Sequence, residues 1–370
     1  MSKQKSGKKN QIFQFLFLGT MVVFGGVGGY FLGVYAGQTR KSGFDFFVML
    51  VLMYAAFFLQ LILHEGGHLV FGLMSGYGFS SFRVGSFMLL KDQKGFHWKR
   101  LKLSGTGGQC LMTCPEPKNG MIPVILYNLG GALINVITGL LFLALWKFLS
   151  VPGMLHDFFL FMAIAGLFYG AVNGIPLHTG SVDNDGMNAI NLTRSRESNR
   201  AFQIQLRING AVASGIRPDE MPDEWFEIPS AESMKNPMVA AVGYMAAARM
   251  LGPDRLSEAK NLEDRILSEA EGLVGIQRGL LICDRIYTEL LTDQDPKVLN
   301  SLLTKQQLQF MKQMKNYPSV LRTRYTLALL KDRDSAAAEK IKKQFDKMAR
   351  TYPYEVDITT ERELMTLAEK

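Results

Sequence analysis

Leu61-Ile62-Leu63-His64-Glu65-Gly66-Gly67-His68-Leu69-Val70-Phe71 sets two histidines four residues apart, with a glutamate beside the first. It follows an apolar run from Phe44 to Leu63 that only Asp45 and Gln60 interrupt. On a helix this spacing puts both imidazoles on one face, about 6 Å apart along the axis. Imidazoles so placed can share one Zn²⁺, and Glu65 is positioned to take a proton from a water at the metal. The same short pattern occurs by chance in soluble helices, and a His–Glu pair can also be satisfied at a headgroup interface. At the end of a membrane-length apolar helix, ionisable groups are costly and read as functional.

The 370 residues are 48% hydrophobic, and the mean hydropathy of +0.07 averages an apolar first half with a polar second half. That division predicts a membrane domain followed by a soluble one. The net charge of +8 does not point to nucleic acid, because the basic residues cluster beside apolar spans. Topology and an anionic bilayer surface account for them. Cys110, Cys114 and Cys283 are too few and too scattered for a disulfide framework, and the first two read as small packing residues.

Four transmembrane spans are expected, at about 12–36, 44–74, 121–149 and 154–177. The first follows Lys3, Lys5, Lys8 and Lys9. It is too long for a signal-peptide core and lacks a cleavage site, so a retained helix is expected. Four basic residues precede it, against Arg40 and Lys41 in the next connection and none in 150–153. Segment 75–120 holds seven: Arg83, Lys91, Lys94, Lys99, Arg100, Lys102 and Lys118. The positive-inside rule then places both termini and segment 75–120 in the cytoplasm, with the His64–His68 pair toward the cytoplasmic leaflet.

Within 75–120, alternating segments near 82–90 and 97–103 flank Asp92-Gln93-Lys94-Gly95, which predicts a β-hairpin. Residues 191–237 read as a linker, with Pro218, Pro222, Pro229 and Pro237 making its latter part irregular. Beyond it, helical periodicity dominates 238–370. Phe310, Lys312, Tyr317 and Pro318 recur as Phe345, Lys347, Tyr352 and Pro353, a 35-residue period near that of tetratricopeptide helix pairs. A plain helical bundle fits the same pattern. The fold expected is therefore a polytopic α-helical membrane protein with four transmembrane helices and a small β-hairpin region, followed by an all-α soluble domain. The domains would be 1–43, 44–190, 191–237 and 238–370.

A hydrolytic zinc site needs a third protein ligand and an open fourth position. His156 belongs to the opposite membrane face by the topology above, and nothing places His97 near the metal. The segment after the last span offers His178, Asp183 and Asp185 at the right depth.

These residues resemble the site-2 protease family of intramembrane zinc metalloproteases. His64-Glu65-Gly66-Gly67-His68 matches that family's HExxH, and Asn173-x-x-Pro176 followed by Asp185-Gly186 is similar to its N-x-x-P…D-G motif. Asn128-Leu129-Gly130-Gly131-Ala132-Leu133-Ile134-Asn135 is similar to its G-P-x-x-N helix, with Gly131 where proline is usual. The likeness covers residues 44–190. The spacing from Asn173 to Asp185 is four residues longer than the family's commoner one, so Asp183 and His178 compete with Asp185. Gly186, expected to permit a tight turn, favours Asp185.

The resemblance implies zinc held by His64, His68 and Asp185, with Glu65 as the general base. The substrate would be a membrane-spanning or signal-peptide-like protein, cut near the cytoplasmic leaflet of a bacterial cell membrane. Asn135 and Asn173 are candidate substrate-binding residues, and Asn135 serves equally well to join two helices. Gly66 and Gly67 would clear the way for a substrate backbone, and the hairpin would hold it as an added strand. The alternative is a membrane-tethered helical-repeat adaptor with a structural or inactive metal site, whose C-terminal helices dock a cytoplasmic partner.

Overall fold

The computed structural model describes residues 42–101, 107–151, 153–178, 183–273 and 275–370, together with Gly26, Gly29 and Gly33. Those three glycines are helical, and the rest of the expected first span and its basic tail lie outside the described residues. Among the described residues three helices, not four, are long and apolar enough to cross a membrane: α1 (Gly43–Met74), α2 (Ile125–Phe148) and α3 (Met154–Gly174). The chain divides into two units, one formed by residues up to Ser75 and Pro123–Arg194, the other by Gly76–Ile122 and Ser195–Lys370.

In the first unit, α1 opens with a capping box. The Ser42 hydroxyl accepts from the Asp45 amide at 3.3 Å, and the Asp45 carboxylate accepts from the Ser42 amide at 2.9 Å. Two of the otherwise orphaned first-turn donors are thereby satisfied. With 32 residues α1 is about 48 Å long, more than the ~30 Å of a bilayer's hydrocarbon core. Its outer side presents Phe44, Phe46, Phe47, Leu50 and Tyr54. An apolar surface all round suits lipid better than water. Helix α3 stops where Ile175 precedes Pro176, since proline disfavours helical backbone in the residue before it. A short helix, α4 (Asp185–Arg194), completes the unit.

The second unit holds a four-stranded antiparallel sheet, ordered β3-β2-β1-β4. The strands are β1 (Gly78–Val84), β2 (Phe87–Asp92), β3 (Gly95–Arg100) and β4 (Gly108–Thr113). The expected hairpin is β2–β3. Its two-residue turn is fixed by the Lys94 amide donating to Asp92 at 2.7 Å and by Gly95 at φ 115°. One face of the sheet buries Met88 and Leu90, which join Leu101, Leu321, Tyr325 and Phe345 in one core. This region is expected within 44–190, and its core partners come from the C-terminal helices.

Those helices are α5 (Arg196–Ala213), α6 (Pro237–Arg249), α7 (Leu256–Glu269), α8 (Gly275–Leu291), α9 (Pro296–Leu302), α10 (Lys305–Gln313), α11 (Pro318–Thr326), α12 (Ser335–Ala349) and α13 (Glu355–Leu367). Much of the expected 191–237 linker is helical, in α4 and α5. The rest is an irregular cover of short 3₁₀ turns that buries Met221, Phe226 and Met234. Each Tyr-Pro of the internal repeat joins two helices, α10 to α11 and α12 to α13. Inside this unit the fully buried Arg322 pairs with Asp284, lies 3.2 Å from Glu361, and sits 4.4 Å over the Tyr287 ring.

Candidate metal centre

Three side chains of the first unit converge on one point. His64 Nε2 lies 3.2 Å from His68 Nε2 and 3.2 Å from Asp185 Oδ2, and His68 Nε2 lies 3.4 Å from the same oxygen. The histidines come from one face of α1, as their spacing dictates, and Asp185 from the first residue of α4. A tetrahedral ion with ligands at 2.0–2.2 Å separates its ligands by about 3.3–3.5 Å. The triangle has that size.

The far side of each imidazole decides what the near side is. His64 Nδ1 meets Asn135 Oδ1 at 2.7 Å, and His68 Nδ1 meets the Tyr127 carbonyl at 2.8 Å. Both partners are acceptors, so each Nδ1 donates a proton and each neutral ring turns an Nε2 lone pair inward. Two lone pairs and a carboxylate oxygen thus face one another. Asp185 Oδ2 is buried and has no aligned hydrogen-bond donor. A cation at the centre would satisfy all three, so the donor set fits a metal ion.

Asn135, fully buried on α2, is itself oriented. Its Nδ2 donates to the Gln60 carbonyl at 2.9 Å and to Gln60 Oε1 at 2.8 Å, which leaves Oδ1 for His64. Gln60 in turn donates to the Met162 carbonyl of α3 at 3.0 Å. Asn135 therefore joins two helices and sets the His64 tautomer; its expected substrate role finds no open face, since it is 0% exposed. Gln60 was noticed in the sequence only as a break in an apolar run. Its place four residues before His64, on the same helix face, was the available signal.

Asp185 is aimed by Asn184, which sequence reasoning passed over. The Asn184 amide donates to the Val172 and Ile175 carbonyls at 2.7 and 2.6 Å, and its oxygen accepts from the Leu177 and Met187 amides, both at 3.0 Å. The turn is thereby stitched to the end of α3. Gly186 serves close packing, not a left-handed turn: a Cβ there would sit 2.3 Å from the Gly174 carbonyl oxygen. The competing ligands are engaged with each other, His178 Nδ1 lying 2.5 Å from Asp183 Oδ1, while Asp183 Oδ2 accepts from Asn191 at 2.8 Å. Asn173 donates back along its own helix to the Tyr169 carbonyl at 3.1 Å.

Two glycines bring α1 and α2 together at this level. A Cβ on Gly67 would lie 2.3 Å from the Gly130 carbonyl oxygen, so Gly67 serves helix contact, while Gly66 faces open space. A Cβ on Gly131 would lie 2.5 Å from His64 Cε1 and 2.7 Å from His68 Nε2. Position 131 must be bare for the two rings to stand where they do. Glu65 is buried beside them on α1. Among the described residues, His64, His68 and Asp185 form the one cluster of His, Cys, Asp or Glu atoms close enough to share an ion. Searches of protein-family models, of curated proteins and of solved structures return no match to this chain.

Proposed function

We propose that the protein is a zinc-dependent intramembrane endopeptidase of the site-2 protease type. The observation that carries the reading is the inward convergence of His64 Nε2, His68 Nε2 and Asp185 Oδ2, with both Nδ1 atoms already committed elsewhere. Its setting supports the membrane part: His64 lies ten residues before the end of the 32-residue α1, about 15 Å along the axis. Zinc held there would supply Lewis acidity toward a scissile carbonyl and lower the pKa of water. Glu65 is assigned as the base that takes the water proton and delivers it to the leaving amine. Asn135 and Gln60 would keep His64 in its ligating tautomer, and Asn184 would hold Asp185 toward the metal.

The substrate in this reading is a membrane-spanning or signal-peptide-like segment. Such a helix hides its amides in its own hydrogen bonds and must unwind before cleavage. The Lys/Arg distribution favours cytoplasmic termini, a first span within 12–36, and a zinc site toward the cytoplasmic leaflet. The C-terminal helices would recruit a partner.

The test is Glu65→Gln in the full chain, purified with zinc and offered a transmembrane model substrate. Glutamine keeps the side-chain shape and removes its basicity, so zinc content should hold while cleavage falls by at least about 100-fold. Cleavage within that margin of wild type would remove Glu65 from the role. A wild-type protein that holds zinc and cuts no transmembrane substrate would favour the adaptor reading.

A further inference from the structure

We propose that the outer face of the β2–β3 hairpin lies on the anionic headgroup layer of a bilayer, a reading that rests on α1–α3 spanning that bilayer. The register pairs Phe87 with Arg100, Leu89 with Trp98 and Lys91 with Phe96. Strand alternation puts these six side chains on one face and turns Met88 and Leu90 into the core on the other. Phe87, Phe96 and Trp98 are 58%, 62% and 74% exposed. The free face of an antiparallel sheet is ordinarily polar, so three bare aromatic rings together mark a contact surface.

The chemistry between the rings identifies the occupant. Arg100 sits 5.0 Å over the Phe87 ring and Lys91 5.8 Å over the Phe96 ring. Lys91 and Arg100 are the charged side chains of this face, whereas Arg83 is buried and Lys99 lies on the other face, 4.0 Å from Glu355. Aromatic rings with interleaved cations match the headgroup level, where rings enter the acyl boundary and cations meet lipid phosphates. A protein surface could offer acids to these cations, but covalent reach favours lipid. Gly78 follows Met74, the last residue of α1, by four residues. The chain joining α1 to the sheet is therefore short, about 14 Å when fully extended.

The protein has three tryptophans, which makes the test direct. Two full-length proteins would be placed in lipid nanodiscs: one retaining Trp98 (W146F/W225F), the other retaining Trp146 of α2 (W98F/W225F). Brominated phospholipid in discs containing phosphatidylglycerol should cut Trp98 emission roughly twofold, most strongly with bromine near the headgroup. Aqueous iodide should quench it little. K91E/R100E, added to the Trp98 protein, should reverse that preference, as should omission of phosphatidylglycerol. Trp98 open to iodide and indifferent to bromolipid would overturn the proposal. Protection from both quenchers would also overturn it, in favour of cover by the chain's own helices or a second copy. Bromolipid quenching unchanged by K91E/R100E and by lipid charge would overturn the anionic assignment. Trp146 separates the two readings: if bromolipid quenches Trp146 and spares Trp98, this proposal fails alone, whereas an unquenched Trp146 removes the membrane-spanning reading beneath it.

Discussion

His64 Nδ1 and Asn135 Oδ1 stand 2.7 Å apart, a buried bond that ties α1 to α2 across 71 positions of sequence. It would make any metal at this centre depend on a residue outside the ligand set. Asn135→Leu should weaken zinc binding by about 10–100-fold, because His64 loses the acceptor that fixes its tautomer. Gln60→Leu should do the same more mildly, by freeing the Asn135 amide to turn. Competition with a calibrated chelator measures both. Unchanged affinity in the Asn135 variant would mean that His64 is oriented by packing alone.

Asp185→Ala should abolish stoichiometric zinc binding, whereas Asp183→Ala should spare it. Asp183 bonds to His178 and Asn191, and Asp185 Oδ2 faces the two imidazoles. Metal analysis of the purified variants decides the matter. Zinc lost from the Asp183 protein and kept in the Asp185 protein would reverse the ligand assignment.

The glycines make a graded series. Gly67→Ala forces a methyl to within 2.3 Å of the Gly130 carbonyl oxygen and should cost about 1–3 kcal/mol of stability. Gly131→Ala should lower zinc occupancy more than stability, since its methyl meets the two imidazoles. Gly66→Ala meets nothing within 4 Å and should change stability by no more than about 1 kcal/mol. Thermal melts and zinc content of the three proteins provide the check.

Burial pushes the Glu361 carboxyl up to about 7 despite the Arg322 charge, and the Asp357 carboxyl up to about 6 despite its bond from Tyr352. Both groups hold their protons more tightly folded than unfolded. Between about pH 4 and pH 7 the native state therefore carries more protons, and raising the pH favours unfolding. The contribution is fully present below the unfolded pKa values and lost as pH passes about 7. The urea midpoint of the C-terminal unit, followed in the full chain, should drop across that range, and Glu361→Gln should flatten the drop. A profile as steep in the variant as in wild type would exclude Glu361 as a source.

What could be read from the sequence was local. The His64–His68 spacing is set by the helix itself, the β2–β3 hairpin by a two-residue turn, and the three described spans by long, mostly apolar runs. What could not be read was partner choice at a distance. Strand β4 pairs with β1 across more than twenty intervening residues, with a register shift between Phe79 and Ser81, and the segment near 82–90 is two strands, β1 turning into β2 at Gly85 and Ser86. Gln60 and Asn135 each stood out as a polar residue in an apolar helix, yet nothing local says that they bond to each other. Asp185 is a candidate through spacing and resemblance, whereas the close approach of Gly186 to the Gly174 carbonyl is a tertiary contact that no local pattern shows. The sheet's place was missed because Met88 and Leu90 find their cover more than 200 residues later, in Leu321, Tyr325 and Phe345.

That long-range cover decides how the chain tolerates shortening. A product ending before residue 217 would keep all four strands and lose Leu321, Tyr325 and Phe345. Its sheet would then be greasy on both sides while still fastened to α1. Premature termination or a protease nick in the helical region would yield a self-associating fragment instead of a smaller working protein. Helices at the far end of the chain thus cover a sheet that begins just after α1, and their contribution is best dissected by point substitution.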